Sequence, residues 1–212
     1  MRSPQTGFTL VEIGIVMVII TLLLAGILKG REMITQARIK SVVNDFSGAT
    51  AAYLSYRDRY QAIPGDDPNA AARWASWGTP GGNGNGYVGG GYESTTPGDE
   101  SRKFWWHLRV AGLVPGPTQG PEADAQPSNA VEGITGVQTN GLGLPGLIVC
   151  VSNVTDKVAG AVDAQLDDHE SNGGNMRAFA HTSSDPREAL GATVASAYTE
   201  AAGVRYVLCR TM

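Results

Sequence analysis

An apolar stretch near the start of the chain constrains its fold more than any other feature. Residues 8–28 have the sequence FTLVEIGIVMVIITLLLAGIL and are nearly all apolar. At a rise of ~1.5 Å per residue, an α-helix of this length spans the ~30 Å hydrocarbon core of a membrane. A secretory signal peptide fits less well, because its apolar core of ~7–15 residues is followed by a cleavage site of small residues, which is absent after Leu28. We therefore expect a transmembrane helix.

One carboxylate interrupts this stretch. Glu12 lies near the beginning of the apolar residues, where an ionised side chain costs less than the roughly 2.5–3.5 kcal/mol that it costs at the centre of a membrane helix. Ionisable groups in such segments are usually functional and pair with an opposite charge. The alternative is that Glu12 reaches the lipid headgroups from a simple anchor helix.

The residues around Glu12 resemble a known processing signal. Residues 7–12, GFTLVE, are similar to the class III signal of type IV pilins and of the pseudopilins of type II secretion. The resemblance implies that a prepilin peptidase removes a leader, residues 1–7, by cutting between Gly7 and Phe8, and then methylates the new amine of Phe8. It also implies that Glu12 is the glutamate that these proteins use in assembly.

The same resemblance implies a location and a set of partners. The leader would face the cytoplasm, residues 8–28 would cross the inner membrane as a single span, and the head would lie in the periplasm until assembly into a cell-surface filament. Charge alone leaves the orientation open, because Arg2 precedes the span while Lys29 and Arg31 follow it. The expected partners are the membrane, further copies of the chain, the prepilin peptidase, and an inner-membrane assembly platform with its ATPase.

The filament that the resemblance implies also explains the membrane-embedded charge. Glu12 of one subunit would lie beside the Phe8 amine of its neighbour, so that two charges that are each costly in an apolar bundle neutralise one another. Such a buried pair fixes the register of the helices more than it adds net stability.

Residues 29–60 are predicted to continue as an amphipathic helix. Apolar and aromatic side chains recur every three or four residues, and this spacing places them in one stripe that we expect to lie against a globular head. The stripe consists of Ile39, Val42, Phe46, Ala49, Tyr53, Tyr56 and Tyr60. The segment holds six basic and three acidic side chains, a net charge of +3, whereas residues 61–212 hold nine and sixteen, a net charge of −7. An acidic head argues against general nucleic-acid binding.

Residues 61–212 are predicted to form an α+β head with a small antiparallel sheet, the pilin fold that the resemblance implies. Helices are predicted at 68–77, 102–111 and 156–166, the first of them capped by Asp67. Strands are predicted at 146–152 and 204–209. His107 is expected to be a packed side chain rather than a ligand.

A glycine-rich segment separates the first two of these helices. Residues 78–98 contain nine glycines. A phosphate-binding P-loop needs Lys followed by Ser or Thr after its last glycine, and a dinucleotide fingerprint needs a strand before it and a helix after it. Because neither pattern is present, the segment is predicted to be a flexible surface loop.

The chain has two cysteines, Cys150 and Cys209, each in a predicted strand. In the oxidising periplasm such a pair usually forms a disulfide, and the arrangement resembles the C-terminal disulfide loop of many pilins. A zinc site is not expected, because no CxxC or HxxxH spacing accompanies the cysteines.

One segment has the composition of a metal site. Residues 163–175 combine clustered carboxylates with asparagine and glycine, the ligand chemistry that Ca²⁺ prefers. Asp163, Asp167 and Asp168 are the candidate ligands, and some pseudopilins bind calcium in a head loop. The spacing differs from that of an EF-hand, and the alternative is a solvated helix end. No other cofactor is expected.

The sequence offers no catalytic constellation. Its three histidines, His107, His169 and His181, are scattered, and no Gly-x-Ser-x-Gly turn occurs, so we do not expect an enzyme. The favoured interpretation is a structural subunit of a type IV pilus-like filament. A type II secretion pseudopilin is the first alternative, and a membrane-anchored periplasmic binding module is the second.

Overall fold

The computed structural model describes residues 9–195, 197–201 and 203–212. Within these residues the helices α1 (Leu10–Tyr60), α2 (Ala70–Arg73) and α3 (Glu100–Val110) come first and are followed by the strands β1 (Thr135–Gly141) and β2 (Leu144–Val154). The helix α4 (Asp156–Leu166) and the strands β3 (Met176–His181) and β4 (Arg205–Thr211) complete the order. The chain divides after Ala37 into two compact units, residues 1–37 and 38–212. The α+β class predicted from the sequence is confirmed.

The four strands form one antiparallel sheet in the order β1-β2-β4-β3. β1 and β2 form a hairpin whose turn residues, Leu142 and Gly143, both have positive φ, 51° and 77°. Two positive φ values are what the type I′ turn requires, the turn whose twist matches that of the flanking strands. β2 and β4 are the central strands, and their buried side chains form much of the core.

The second half of α1 covers this core. Ile39, Val42, Phe46, Ala49, Tyr53 and Tyr56 are all buried, and Tyr60 is partly buried at the end of the helix. They pack with side chains of α3, α4 and the sheet. The predicted stripe is confirmed, and it is the feature that binds α1 to the head.

The predicted helix at 68–77 is shorter than expected. α2 begins only at Ala70, and a single 3-10 turn at Ala75–Trp77 follows it. The Asp67 carboxylate accepts a hydrogen bond from the backbone N–H of Asn69 at 2.9 Å. It also accepts bonds from the Tyr56 hydroxyl at 2.8 Å and from the Arg73 guanidinium at 2.6 Å. Asp67 therefore links the start of α2 to α1 through Tyr56, in addition to its bond with the nearby Asn69.

The remaining predicted elements are present with small shifts. The helix predicted at 102–111 is α3, the helix predicted at 156–166 is α4, and the two predicted strands are β2 and β4, each of which extends further than expected. β1 and β3 were not predicted. Each has a short or polar sequence, TGVQTNG or MRAFAH, so that neighbouring strands decide its structure more than its own residues do.

The glycine-rich segment is not a simple flexible loop, and this prediction was wrong for residues 81–92. The Asp66 carboxylate accepts hydrogen bonds from the backbone N–H groups of Gly84, Asn85 and Gly86 at 2.7–3.0 Å. The Glu100 carboxylate accepts from those of Asn83 and Gly89, both at 3.0 Å. Asp66 and Glu100 are 4% and 6% exposed. The segment binds two buried carboxylates of the same chain, in the way that such concave backbones bind anions.

His107 is a packed side chain, as predicted. It is fully buried, its Nδ1 accepts a hydrogen bond from the Gly65 N–H at 2.9 Å, and its Nε2 lies 2.8 Å from the Pro80 carbonyl oxygen. The first contact requires an unprotonated Nδ1 and the second a protonated Nε2, so the ring is the neutral Nε2–H tautomer. Burial lowers the pKa of His107 to about 4, which is consistent with this assignment.

Candidate functional site

The N-terminal end of α1 is closed by a reciprocal pair of side chains. The Oε2 atom of Glu12 accepts hydrogen bonds from the backbone N–H and from the hydroxyl of Thr9, both at 2.8 Å. The Thr9 hydroxyl oxygen in turn accepts a bond from the backbone N–H of Glu12 at 3.2 Å. This arrangement is a capping box, which satisfies backbone donors that a helix end otherwise leaves unpaired. Sequence reasoning missed this role of Thr9, although the Thr-x-x-Glu spacing indicates it.

The capping role leaves Glu12 able to bind a second partner. Both bonds from Thr9 reach Oε2, and within the described part of the chain Oε1 accepts no hydrogen bond. An ionised carboxylate has about four acceptor positions. Glu12 can therefore hold the start of its own helix and accept a positive group from outside at the same time.

The helix around Glu12 presents apolar surface in every direction. From Leu10 to Leu28 the large apolar side chains are 48–91% exposed. By length and composition α1 is able to cross a membrane, and its most apolar segment is not buried within the chain. Such a surface needs a cover of lipid tails or of other apolar helices, because so large an exposed apolar area is unfavourable in water.

The predicted cleavage point lies outside the described residues. Gly7 and Phe8 both precede Thr9, where the description of the chain begins. Glu12 is described, and it lies within the first turn of α1.

The three predicted metal ligands lie together at the end of α4. Asp163, Asp167 and Asp168 each offer one carboxylate oxygen, and these oxygens lie within 4.8 Å of one another. Asp163 is buried, Asp167 is partly buried and Asp168 is exposed, so the cluster opens toward solvent on one side. Two oxygens on the same Ca²⁺ are at most about 5 Å apart, since each lies 2.3–2.6 Å from the ion.

The bonds around the cluster hold these carboxylates in place. The Tyr198 hydroxyl donates to Oδ2 of Asp163, and the backbone N–H of Met176 donates to Asp167 at 2.7 Å. The buried Oδ1 of Asp163 has no hydrogen-bond partner among the residues described. Burial, together with the nearby charges of Asp168 and Asp167, raises the pKa of Asp163. Tyr198, 35 residues away along the chain, could not be assigned to this cluster from the sequence.

The two cysteines face each other across the centre of the sheet. Cys150 of β2 is paired in register with Cys209 of β4, and their sulfur atoms form a disulfide. Both residues are fully buried. The bond closes a segment with a sequence separation of 59 that contains α4 and β3, so it ties the acidic cluster to the core of the sheet.

In the glycine-rich segment, backbone N–H groups between Asn83 and Gly89 are already paired with carboxylates of the same chain. These N–H groups point at Asp66 and Glu100 rather than at an open anion site. The roles of Asp66 and Glu100 were not predicted, because they depend on contacts made up to 20 residues away.

Comparison with known proteins places the start of the chain in a recognised class. A family model described as the prokaryotic N-terminal methylation motif matches residues 2–28. No curated protein and no solved structure showed a significant match. Proteins with this motif are structural subunits that are anchored in the membrane before they assemble. Residues 2–28 therefore carry the prokaryotic N-terminal methylation motif, which is the class III signal found in type IV pilins and pseudopilins.

Proposed function

We propose that this protein is a structural subunit of a type IV pilus-like filament, which is extracted from the inner membrane after prepilin peptidase cuts between Gly7 and Phe8. The helices of many copies form the core of the filament, and the heads form its outer surface. A separate ATPase and its membrane platform supply the energy for extraction.

This proposal depends on one observation: Glu12 has a carboxylate oxygen without a described partner on an exposed apolar helix. Its Oε1 is available while Oε2 caps the helix, and the surrounding side chains are 48–91% exposed. In the membrane the apolar surface is covered by lipid, whereas in a filament it is covered by neighbouring helices. The amine of a processed neighbour then supplies the positive charge that a carboxylate in an apolar environment needs.

Mass spectrometry of the purified protein tests the processing step. We expect a mass that lacks residues 1–7 and carries one extra methyl group. An intact leader would overturn the filament proposal and would support the alternative of a membrane-anchored periplasmic binding module, in which the helix serves only as a tether. The matched control is a Gly7→Ala variant, which we expect to keep the leader.

The acidic cluster favours the second candidate, a pseudopilin of type II secretion, because some pseudopilins bind calcium in the head. A strain that lacks the chain distinguishes the two. Loss of surface filaments with normal release of secreted enzymes supports the pilus subunit, whereas loss of enzyme release supports the pseudopilin. Deleting residues 78–98 is not a suitable test, because it would leave the buried carboxylates of Asp66 and Glu100 without their donors.

We also propose that Asp163, Asp167 and Asp168 bind Ca²⁺. One carboxylate oxygen from each lies within 4.8 Å of the others, and the buried Oδ1 of Asp163 is available. Binding to the folded state alone would stabilise it by about 2.7 kcal/mol at a free concentration 100 times the Kd. We expect Ca²⁺ to raise the melting temperature of the wild-type protein and to have little effect on Asp167→Asn. Equal responses of the two proteins, or none, would contradict the calcium site but would leave the filament proposal intact.

A further inference from the structure

A cavity beside the head-packed half of α1 has the composition of a ligand site. It has a volume of about 250 Å³ and lies between α1, α3 and β1. Its walls are mostly apolar and include Ala49, Leu113 and Val114. Asp45 of α1 supplies a carboxylate to this lining. We refer to it as the Asp45 cavity.

The polar groups of the Asp45 cavity are not satisfied within the described chain. Among the residues described, Oδ2 of Asp45, Oγ1 of Thr135 and Nε1 of Trp105 are buried and have no hydrogen-bond partner. Thr135 and Trp105 are 3% and 2% exposed. An unpaired buried polar group costs about 1–3 kcal/mol, and more when it is charged. The Trp105 N–H is a donor, which a cation cannot satisfy, so the Asp45 carboxylate is the group that a positive partner would stabilise.

The charge balance at the cavity is also incomplete. The described lining contains a carboxylate but no lysine or arginine, and burial raises the pKa of Asp45 to about 6. A carboxylate that loses water without gaining a positive neighbour shows this direction of shift. A cation at the cavity would supply the neighbour that is lacking.

One exposed position in the lining of the cavity carries no side chain. Gly48 lines the cavity, is exposed, and lies in the interior of α1. A Cβ added at Gly48 would meet no atom within 4 Å, so packing inside the described chain does not require glycine here. Glycine in a helix interior costs roughly 0.5–1 kcal/mol relative to alanine. A glycine at position 48 leaves the cavity accessible to a ligand from solvent, which is a reason for glycine at this position.

We propose that the Asp45 cavity binds a small organic cation, an ammonium or guanidinium group on a short apolar stem. The Asp45 carboxylate pairs with the charge, and Ala49, Leu113 and Val114 contact the stem. The volume is below the ~300–1,000 Å³ of sites for drug-sized ligands, which limits the ligand to this size. A free amine or guanidine, or the basic side chain of a second copy of the chain, would present the same chemistry.

Binding can be measured on the full-length protein in detergent micelles, with n-butylguanidinium as the probe. The resonance of the Trp105 indole N–H is the reporter, because the Trp105 side chain lines the cavity. We expect the resonance to shift saturably in the wild-type protein, and Asp45→Asn to weaken the apparent affinity tenfold or more. n-Butanol, which has the stem but no charge, should produce no saturable shift. Equal binding by Asp45→Asn, or equal binding of n-butanol, would overturn the proposal.

Gly48 provides a second variant that leaves the carboxylate in place. Gly48→Met should cover the entrance and weaken binding, whereas the matched control Gly48→Ala should bind like the wild type. If Gly48→Met binds the probe as tightly as Gly48→Ala, the probe does not enter this cavity and the proposal is contradicted.

A comparison of monomers with washed filaments distinguishes the two sources of the cation. If a second copy supplies it, the filaments should no longer bind the probe that the monomers bind. If a free amine supplies it, filaments and monomers should bind the probe alike. The monomer experiment requires no filament, so its failure would leave the proposed filament function untouched.

Discussion

The two halves of α1 belong to one helix, but the apolar side chains of the first half are exposed and most of those of the second half are buried. From Leu10 to Leu28 the large apolar residues occur on every side and are 48–91% exposed. From Ile39 to Tyr56 most of them occupy a single stripe that is 6% exposed or less, and Leu54, which lies outside the stripe, is 52% exposed. The second half finds its partner inside the chain. The first half does not find one in the described residues of its own unit.

This difference shows that the arrangement of apolar residues around a helix indicates what covers that helix. A stripe indicates a surface that the same chain covers on one side only, whereas an apolar surface all round indicates lipid or other helices. The polar groups follow the same division. Tyr56 in the second half has a buried partner in Asp67. Among the described residues, Glu12 in the first half is paired only with Thr9 at the exposed end of the helix.

The largest effect is expected from a matched pair of isoleucines that lie on either side of the boundary between the two units. Ile39 is 4% exposed and Ile34 is 56% exposed. Ile39→Ala should lower the free energy of unfolding of the head by about 2–5 kcal/mol, because it removes buried methyl groups and leaves a cavity. Ile34→Ala should change it by less than about 0.5 kcal/mol. Urea unfolding of the full-length protein in detergent measures both, and similar losses would remove the contrast between the halves.

Acid should destabilise the head through His107, which stacks on Tyr56 of α1 with ring centroids 6.2 Å apart. The pKa of His107 is about 4 in the folded protein, against roughly 6.5 in an unfolded chain. Below pH ~6.5 the unfolded chain therefore binds a proton that the folded protein refuses. The neutral, buried His107 therefore makes its full contribution to the stability of the head above pH ~6.5. As the pH falls toward ~4, the free energy of unfolding decreases by about 3 kcal/mol.

The control for this pH dependence is the difference between wild type and His107→Gln, measured at each pH. Asp45 acts in the opposite direction, because its pKa is raised to about 6 and its protonation favours the folded state between pH ~4 and ~6. Introducing Asp45→Asn into both proteins removes this opposing contribution. A wild-type-minus-variant difference that does not change between pH 7 and pH 4.5 would contradict the neutral, buried His107.

A smaller effect is expected from the hydroxyl that ties the head-packed half of α1 to the loop that follows it. Tyr56 donates to the buried carboxylate of Asp67 at 2.8 Å, and hydrogen bonds to charged groups contribute about 1.5–3 kcal/mol. Tyr56→Phe should cost an amount in this range. In the described chain the Tyr60 hydroxyl makes no such bond, so Tyr60→Phe should cost less than about 0.5 kcal/mol. Thermal unfolding of the two variants tests the comparison, and equal losses would contradict it.

The parts of the fold that could be predicted are those whose pattern is local. The stripe of α1 predicts a helix and the apolar residues of β2 predict a strand, because each pattern repeats over a few neighbouring residues. β1 and β3 could not be recognised, because TGVQTNG and MRAFAH carry little apolar alternation and are fixed by pairing with β2 and β4. The glycine-rich segment was misjudged for a similar reason, since the carboxylates that hold it belong to Asp66 and Glu100, outside the segment itself.

The candidate sites divide in the same way. The processing signal is a continuous motif, so residues 7–12 were sufficient to recognise it. The acidic cluster was predicted from the composition of residues 163–175, although the donor from Tyr198 required the folded chain. The Asp45 cavity left no pattern in the sequence, because its polar groups come from α1, α3 and β1.

The central claim is that the charge of Glu12, and not only its capping bonds, is needed for assembly, and a pair of variants separates these two roles. Glu12→Gln retains an acceptor for Thr9 but loses the charge, whereas Glu12→Ala loses both. Filaments recovered from cells should be scored beside the amount of processed subunit in the membrane. We predict that both variants are processed and that neither forms filaments. Normal filaments from Glu12→Gln would contradict the claim and would reduce Glu12 to a helix cap.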